Sequence, residues 1–277
     1  MGMCRILLFL QLYCGSCCLL GMAALSRGEE PADAKLQKLS DESRSRAEGI
    51  QVSVVAGGRK MKAKLHSIPV MKYTDVPRLI DMATLWVWQD EGCPVALGKV
   101  EAYKREGGTK WLYCFASTST GLVDAKWPGG RRFQAREVGI KWSAIKGSVP
   151  QETAAGRRRQ MKALFRRFSA IIWDNSQKTT EALRPLARPL HEYASPKRGV
   201  IQGVLCGFTT NGTNPAAIVI LEAVSPPEGK DAPPSWRYSV VRMTANRLSV
   251  TLDKAEVFTG RDTKSTWTHF WESASKK

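Results

Sequence analysis

The sequence has few of the residues and motifs from which catalytic and metal sites are built. Only three histidines occur, at His66, His191 and His269. They are far apart in the chain and none has a second metal-binding residue at ligand spacing, so no metal site is expected. There is also no Gly-x-Ser-x-Gly elbow, no phosphate-binding glycine loop and no His-Glu-x-x-His motif. These absences count against the common hydrolases, kinases and metalloproteases, and we expect no cofactor.

Cysteine is scarce after residue 26. Four of the seven cysteines precede that point, which leaves Cys93, Cys114 and Cys206. Three thiols allow one disulfide and one free thiol, and none of them has zinc-ligand spacing. A chain of this length buries a core without cross-links, so a disulfide scaffold is excluded.

Long apolar runs are absent beyond the N-terminal leader. Residues 6–25 are mostly apolar and end at Ala24-Leu25-Ser26, which has small residues at the two positions that a signal peptidase reads. We therefore expect residues 1–26 to be a signal peptide and the protein to be exported to the periplasm, cell envelope or medium. The alternatives are an uncleaved membrane anchor, because the run is about twenty residues long, and a lipid-modified Cys17 or Cys18.

Two stretches of the chain, residues 69–102 and 189–223, share the same spacing of residues. The matched pairs are Pro69 and Pro189, Tyr73 and Tyr193, Trp88 and Phe208, Gly92 and Gly212, Pro94 and Pro215, Ala96 and Ala217, and Glu101-Ala102 and Glu222-Ala223. Further along, Trp111 and Tyr113 match Trp236 and Tyr238. A period of about 120 residues is too long for a solenoid. It predicts two domain-sized halves, residues 27–150 and 151–277.

Short apolar stretches separated by glycines and prolines make up most of each half. They predict strands at 83–88, 94–103, 110–117 and 122–127, then near Leu190 and at 204–209, 215–224, 235–244 and 248–252. A hairpin is predicted from 51–55 and 59–65, because Gly57 and Gly58 supply the positive φ values of a tight turn. Such spacing is typical of an antiparallel meander.

One amphipathic helix is predicted over residues 157–173. Its apolar residues recur at steps of three and four: Met161, Leu164, Phe165, Phe168, Ile171 and Ile172. Residues 29–46 are interpreted as a weak surface helix or a tether. The predicted fold class is therefore α+β, with two pseudo-repeated halves that each contain a helix and an antiparallel β meander. The halves would be cystatin-like in general shape or, alternatively, a sandwich-like β fold with one covering helix.

Several segments resemble a family of exported bacterial proteins. Residues 182–193, 212–223 and 236–244 resemble the C-terminal part of that family, which is of planctomycete type and unknown function. The Trp86-Val-Trp88 and Gly92-Cys-Pro94 region is similar to its N-terminal half. The resemblance covers most of the chain and implies export and a β-rich core, but no activity.

Positive charge is the compositional feature with the clearest consequence. The formal net charge is +17, and residues 124–167 contain twelve lysines and arginines against three acidic residues. A surface this basic attracts phosphates, carboxylates and sulfates at low salt. We predict a polyanion-binding helix with six candidate residues: Arg157, Arg158, Arg159, Lys162, Arg166 and Arg167. The expected partner is an anionic envelope polymer or lipid rather than a specific nucleic acid, and a solubility requirement is the alternative explanation of the charge.

Glu101 and Glu222 are the carboxylates that recur in the two stretches. If the halves met face to face, the two could form an acid pair of the kind that hydrolyses saccharides. A hydrolase acting at that interface is the alternative function. The structural interpretation is an ion pair or solvent exposure, with Arg242 on the neighbouring strand as the partner.

Four tryptophans recur at strand positions: Trp86, Trp88, Trp111 and Trp236. We expect them to pack between sheet and helix, and a stacking surface for sugars or bases is the alternative. The tail after residue 264 carries Trp267, Phe270 and Trp271 and is expected to cover a sheet edge. An exposed apolar patch there would instead indicate a structural protein that packs against another chain. The sequence predicts no oligomeric state.

Overall fold

Four antiparallel sheets and two helices make up the part of the chain that the structure, a computed structural model, describes. The described residues are 32–174, 179–210, 212–229, 231–260 and 265–272. The predicted signal peptide, residues 1–26, lies outside them. Ala32–Lys277 form one compact unit, and the predicted boundary near residue 150 stays a prediction.

The N-terminal portion begins with helix α1, Ala32–Glu48, and continues almost entirely as strands. These are β1 Gln51–Ala56, β2 Arg59–Lys62, β3 Lys64–Leu65, β4 Met71–Asp75, β5 Ile80–Asp90, β6 Cys93–Arg105, β7 Gly108–Ser117, β8 Leu122–Lys126, β9 Arg132–Gln134 and β10 Ser143–Ile145. Short 3₁₀ turns lie at Val76–Arg78 and Pro128–Gly130.

The C-terminal portion begins with helix α2, Ala154–Phe165, and also continues as strands. These are β11 Phe168–Asp174, β12 Thr179–Ala182, β13 Arg184–Pro185, β14 His191–Ser195, β15 Val200–Thr209, β16 Pro215–Val224, β17 Ser235–Arg242, β18 Arg247–Leu252, β19 Ala255–Gly260 and β20 Trp267–Trp271. A 3₁₀ turn lies at Pro196–Arg198. The predicted α+β class, rich in antiparallel strands, is confirmed.

Each of the two larger sheets takes an edge strand from the distant part of the chain. The first, which we call the N sheet, has the order β20-β7-β6-β5-β3, with β4 also on β5. The second, the C sheet, has the order β10-β17-β16-β15-β13, with β14 also on β15. The C-terminal β20 thus completes the N sheet, where Trp267 pairs with Ala116, and β10 completes the C sheet. The tail therefore covers a sheet edge, as predicted.

The two smaller sheets have the orders β2-β1-β8-β9 and β12-β11-β18-β19. The predicted hairpin forms the start of the first one, since Ala56 pairs with Arg59 across Gly57 and Gly58. These glycines have φ values of +54° and +75°. A two-residue turn with both central φ values positive matches the twist of the flanking strands, and glycine adopts it without steric cost.

Residues of the N and C sheets can be compared by their pairing register. Tyr73 and Glu101 both pair with Ala83, while Tyr193 and Glu222 both pair with Gly203. We call two residues at the same register position counterparts. By this definition three further pairs of counterparts are Lys99 and Ile220, Met71 and His191, and Trp111 and Trp236.

Buried side chains form three main layers. The central layer contains residues of both larger sheets, including Leu85, Leu97, Leu205, Ile218 and Ile220. An outer layer joins the N sheet to α1 and the β2-β1-β8-β9 sheet, and another joins the C sheet to α2 and the β12-β11-β18-β19 sheet. The four tryptophans expected to pack are all buried, with at most 4% exposure: Trp86, Trp88, Trp111 and Trp236.

The helix predicted over residues 157–173 is wrong at both ends. It begins earlier, at Ala154, because the Thr153 hydroxyl accepts a hydrogen bond from the Gly156 N–H and caps it. It ends at Phe165, and the following residues form β11, in which Phe168, Ala170 and Ile172 are buried while the residues between them are more exposed. That period of two is the period of a strand, and pairing with β18 overrides the apolar spacing that had suggested a helix.

Residues 29–46 were expected to form a weak surface helix or a tether. The helix is the correct alternative, and α1 has 17 residues. Leu39, Ser43 and Ala47 are buried at steps of four, so one stripe of α1 lies against the N sheet. Neither this helix nor any other in the described residues is long and apolar enough to span a membrane.

Replacing Phe270 by Ala tests the contribution of β20. Phe270 is 8% exposed and belongs to the core layer on the outer face of the N sheet. Phe270→Ala should therefore lower the free energy of unfolding by about 3–5 kcal/mol in urea titrations. The control is Trp271→Ala in the same strand, which should have a clearly smaller effect because Trp271 is 42% exposed. Equal small losses from both variants would show that β20 does not complete the N sheet in solution.

Candidate functional site

The outer face of α2 carries three basic side chains in a row. Arg159 and Lys162 are exposed on the helix, and Arg166 is exposed at its C-terminal cap. Their spacing of three and four places them on one side, opposite the buried Met161, Leu164 and Phe165. Within the described residues, none of the three forms an ion pair with a carboxylate. We call Arg159, Lys162 and Arg166 the outer basic face.

The other three predicted polyanion-binding residues make contacts within the protein. Arg157 donates to Gln202 Oε1 at 2.9 Å and to the carbonyl oxygens of Gln151 and Glu152. Arg158 pairs with Glu192 at 2.8 Å, and Arg167 Nε lies 3.0 Å from Asp253 Oδ1. The six candidates therefore divide into three that are available to a partner and three that support the fold.

Part of the basic region before α2 is also internally paired. Arg132 and Lys60 both donate to the buried Asp124 carboxylate, at 2.7 and 2.8 Å. Hydrogen bonding by Arg132 and then by Lys60 lowers the pKa of Asp124 to about 2. The guanidinium of Arg131 lies 3.9 Å from the ring centre of Phe270. These residues contribute to the net charge, but their contacts stabilise the N-terminal sheets.

Glu101 lies in a buried polar cluster between the two larger sheets. It is 2% exposed, and its Oε1 accepts hydrogen bonds from the Tyr73 hydroxyl at 2.6 Å and from Asn214 Nδ2 at 3.1 Å. Its Oε2 accepts from the Tyr103 hydroxyl at 3.1 Å. The ammonium of Lys99 is 3.7 Å away. Burial and the nearby Glu101 raise the pKa of both phenols, so both remain protonated donors.

Glu222 lies in a different buried cluster. Its Oε1 accepts a hydrogen bond from the Tyr193 hydroxyl at 2.7 Å, and its Oε2 accepts from Arg237 Nε at 2.7 Å. The predicted partner Arg242 is wrong, because the register of β16 and β17 places Arg237 opposite Glu222. Arg242 instead donates to backbone carbonyls, including those of Thr244 and Ala245.

The structure does not bring the predicted acid pair together. Glu222 lies near Cys93 at the start of β6. Burial raises the pKa of that thiol, and the Glu222 charge raises it further. Glu101 is eight residues further along the same strand, which is about 26 Å of extended chain. A cleft of about 160 Å³ is lined by Glu101, Lys99 and Asn214 but not by Glu222. Both carboxylates have protein partners, and nothing places them on either side of one substrate.

Two of the histidines that are distant in sequence are adjacent in space. The rings of His66 and His191 are 4.8 Å apart between centroids. Burial, and to a smaller extent the neighbouring His66, lowers the pKa of His191 to about 4. No group of three or more histidine, cysteine or acidic side chains in the described residues is arranged to hold a metal ion.

The three cysteines after residue 26 are buried free thiols. Burial raises the pKa of Cys114 to about 11 and that of Cys206 to about 12. A thiol that stays protonated is a poor nucleophile. These positions therefore behave as small apolar residues of the core, as expected for Cys206.

No family model, curated protein or solved structure shows a significant match to this chain. The resemblance to exported planctomycete-type proteins stays a prediction.

The depressed pKa of His191 predicts a pH dependence of stability. Unfolded histidine binds a proton near pH 6.5, whereas folded His191 does so only near pH 4. The contribution of neutral His191 to the free energy of unfolding is thus complete above about pH 6.5. It is lost as the pH falls from about 6.5 to about 4, because the unfolded chain then binds a proton that folded His191 does not. His191→Met, which introduces the residue found at its counterpart Met71, should make the free energy of unfolding less dependent on pH in that range. Parallel curves for the two proteins would contradict the assignment.

Proposed function

We propose that this protein is an exported, non-enzymatic protein that binds an anionic polymer through the outer basic face of α2. The observation that carries the proposal is the combination of three exposed cations without carboxylate partners among the described residues and a buried opposite face. Because Met161, Leu164 and Phe165 fix the helix on its sheet, the three basic residues start from fixed positions on the backbone.

The contrast between the two helices supports a role for this charge. Helix α1 has four basic and four acidic residues, and it contains i,i+4 ion pairs between Arg46 and Glu42 and between Arg44 and Glu48. Helix α2 has four basic residues and no acidic one. A general requirement for solubility would not distinguish the two helices in this way. The surplus on α2 favours a specific electrostatic function.

A polymer is a better partner than a small anion. Exposed ion pairs contribute only about 0.2–1 kcal/mol each, so a single bound anion would be held weakly. Arg159 and Arg166 are separated by about 10 Å along the helix axis, and a chain with repeated charges can contact all three cations at once. With export predicted, acidic polysaccharides and other envelope polyanions are the available candidates, and anionic lipid headgroups are the competing source.

We also infer that the chain is a tandem duplication of a cystatin-like unit, a helix followed by an antiparallel meander. The supporting observations are the common order of elements after α1 and α2 and the counterpart positions in the N and C sheets. Glu101 and Glu222, with Tyr73 and Tyr193, then have one inherited structural role. The hydrolase alternative gains no support from this arrangement, because recurrence is explained by duplication.

Removal of the outer basic face should weaken polyanion binding. The triple variant Arg159→Gln, Lys162→Gln and Arg166→Gln should bind heparin, a sulfated acidic polysaccharide, about tenfold less tightly at low salt, since three exposed ion pairs are lost. The measurement is titration at two salt concentrations, together with elution from a heparin column.

The matched control removes the same charge from exposed positions elsewhere: Lys38→Gln, Lys104→Gln and Lys110→Gln. It should bind nearly as well as the wild type. Equal weakening by both triples would show that only net charge matters and would overturn the proposed site. Titration with vesicles of anionic phospholipid tests for a lipid partner. If lipid is the partner, the wild type should bind the vesicles more tightly than heparin, and the outer-face triple variant should lose this binding while the control triple keeps it.

A further inference from the structure

An amine, a carboxamide and a carboxylate are in mutual contact between the N and C sheets. Lys99 Nζ lies 2.7 Å from Asn214 Oδ1, and Asn214 Nδ2 lies 3.1 Å from Glu101 Oε1. The third side of the triangle, from Lys99 Nζ to Glu101 Oε1, is 3.7 Å. The side chains of Lys99 and Glu101 are 6% and 2% exposed. Asn214 is half-buried. All the groups required to form an amide between two side chains are therefore present in one cluster, whose amine and carboxylate are buried.

The architecture of the sheet does not require a lysine at this position. The counterpart of Lys99 in the C sheet is Ile220, a fully buried apolar residue. A buried ammonium carries a large desolvation cost, which its hydrogen bonds to the carbonyl oxygens of Pro215 and Met243 only offset. The residue before the matched proline is Asn214 in one stretch and Cys93 in the other. Of the two clusters, the one around Glu101 thus combines an amine with a carboxamide among the described residues.

We propose that Lys99 and Asn214 become joined by an intramolecular isopeptide bond, with Glu101 transferring the protons. This inference is independent of polyanion binding. It gives Glu101, which has no second carboxylate beside it among the described residues, a role in proton transfer.

The reaction balances without any external reagent. The Lys99 ammonium gives one proton to Glu101, which leaves two neutral groups in a buried site. The Nζ lone pair then attacks Asn214 Cγ and forms the Nζ–Cγ bond. Glu101 transfers a proton to Nδ2 and accepts one from Nζ, the Cγ–Nδ2 bond breaks, and ammonia leaves. Amine plus primary amide thus yields secondary amide plus ammonia. The ammonia takes the proton that Glu101 holds at the end, so ammonium departs and Glu101 is a carboxylate again.

The surroundings fit this chemistry. Lys99 Nζ is held beside Asn214 Oδ1, so a small movement of the lysine side chain brings Nζ to Asn214 Cγ. Because the two groups are already positioned, the reaction needs no bimolecular encounter. Tyr73 and Tyr103 orient the carboxylate by donating to its two oxygens. Burial limits competing hydrolysis. The cleft lined by Glu101 and Asn214 offers ammonia a way out.

The bond would connect β6 of the N sheet to the segment between β15 and β16 of the C sheet. It would close a loop of more than a hundred residues, and long loops restrict the unfolded chain most. A covalent tie between the sheets would suit an exported protein that is exposed to force or proteases.

The test is mass spectrometry of the denatured wild-type protein. The proposal expects an intact mass lower by about 17 Da. This is the mass of the ammonia that leaves when the Nζ–Cγ bond replaces the Cγ–Nδ2 bond. Proteolysis should release a branched peptide that contains both Lys99 and Asn214. Asn211, which precedes Gly212, can lose ammonia by cyclising on the next backbone nitrogen, but Asn214 cannot because Pro215 has no N–H. The branched peptide therefore distinguishes the two reactions.

Two variants examine the proton-transfer role. Glu101→Gln keeps a side chain of the same size and should abolish the branched peptide, as should Lys99→Met. The matched control Glu222→Gln changes the counterpart carboxylate and should leave the branched peptide intact. Unmodified mass and separate linear peptides from folded wild-type protein would overturn the proposal. Cross-linking at an unchanged rate in Glu101→Gln would overturn the role of Glu101.

Discussion

The structure depends on an exchange of edge strands, in which each of the two larger sheets is completed by a strand from the other part of the chain. β20 adds to β7 of the N sheet, and β10 adds to β17 of the C sheet. Each pairing satisfies backbone groups that would otherwise form an open edge. The central apolar layer contains residues of both sheets. The N sheet therefore needs a strand that follows α2 in the sequence, and the C sheet needs a strand that precedes it.

This arrangement explains why polar groups are concentrated where the sheets meet. The connections between strands of one sheet approach side chains of the other, so Asn214 reaches Glu101 and the backbone of Gly92 lies close to that of Ala194. Carboxylates buried there need donors, and Tyr73 and Tyr193 supply them. On the outside, α2 is held by its apolar face, which leaves the outer basic face exposed. The buried polar clusters around Glu101 and Glu222 are thus separate from the outer basic face of α2.

Local patterns allowed much of the β structure to be predicted. Strand segments and the Gly57-Gly58 turn follow from short-range alternation and turn chemistry, and the aromatic residues of the tail indicated that it covers a sheet edge. The end of α2 at Phe165 could not be found in this way, because pairing of β11 with β18 determines it. The same holds for Arg237 as the partner of Glu222, for the contact of His66 with His191, and for Lys99 beside Asn214. Each depends on register or on contacts between distant segments, which spacing along the chain does not reveal.

Each larger sheet needs a strand from the other part of the chain, and dividing the chain tests this requirement directly. Residues 27–147 and 148–277 can be produced as separate fragments, since the break falls in the exposed connection between β10 and α2. We predict that neither fragment alone shows cooperative unfolding by circular dichroism and that an equimolar mixture recovers a single transition. A stable, cooperative fold in either isolated fragment, unchanged by addition of the other, would contradict the account.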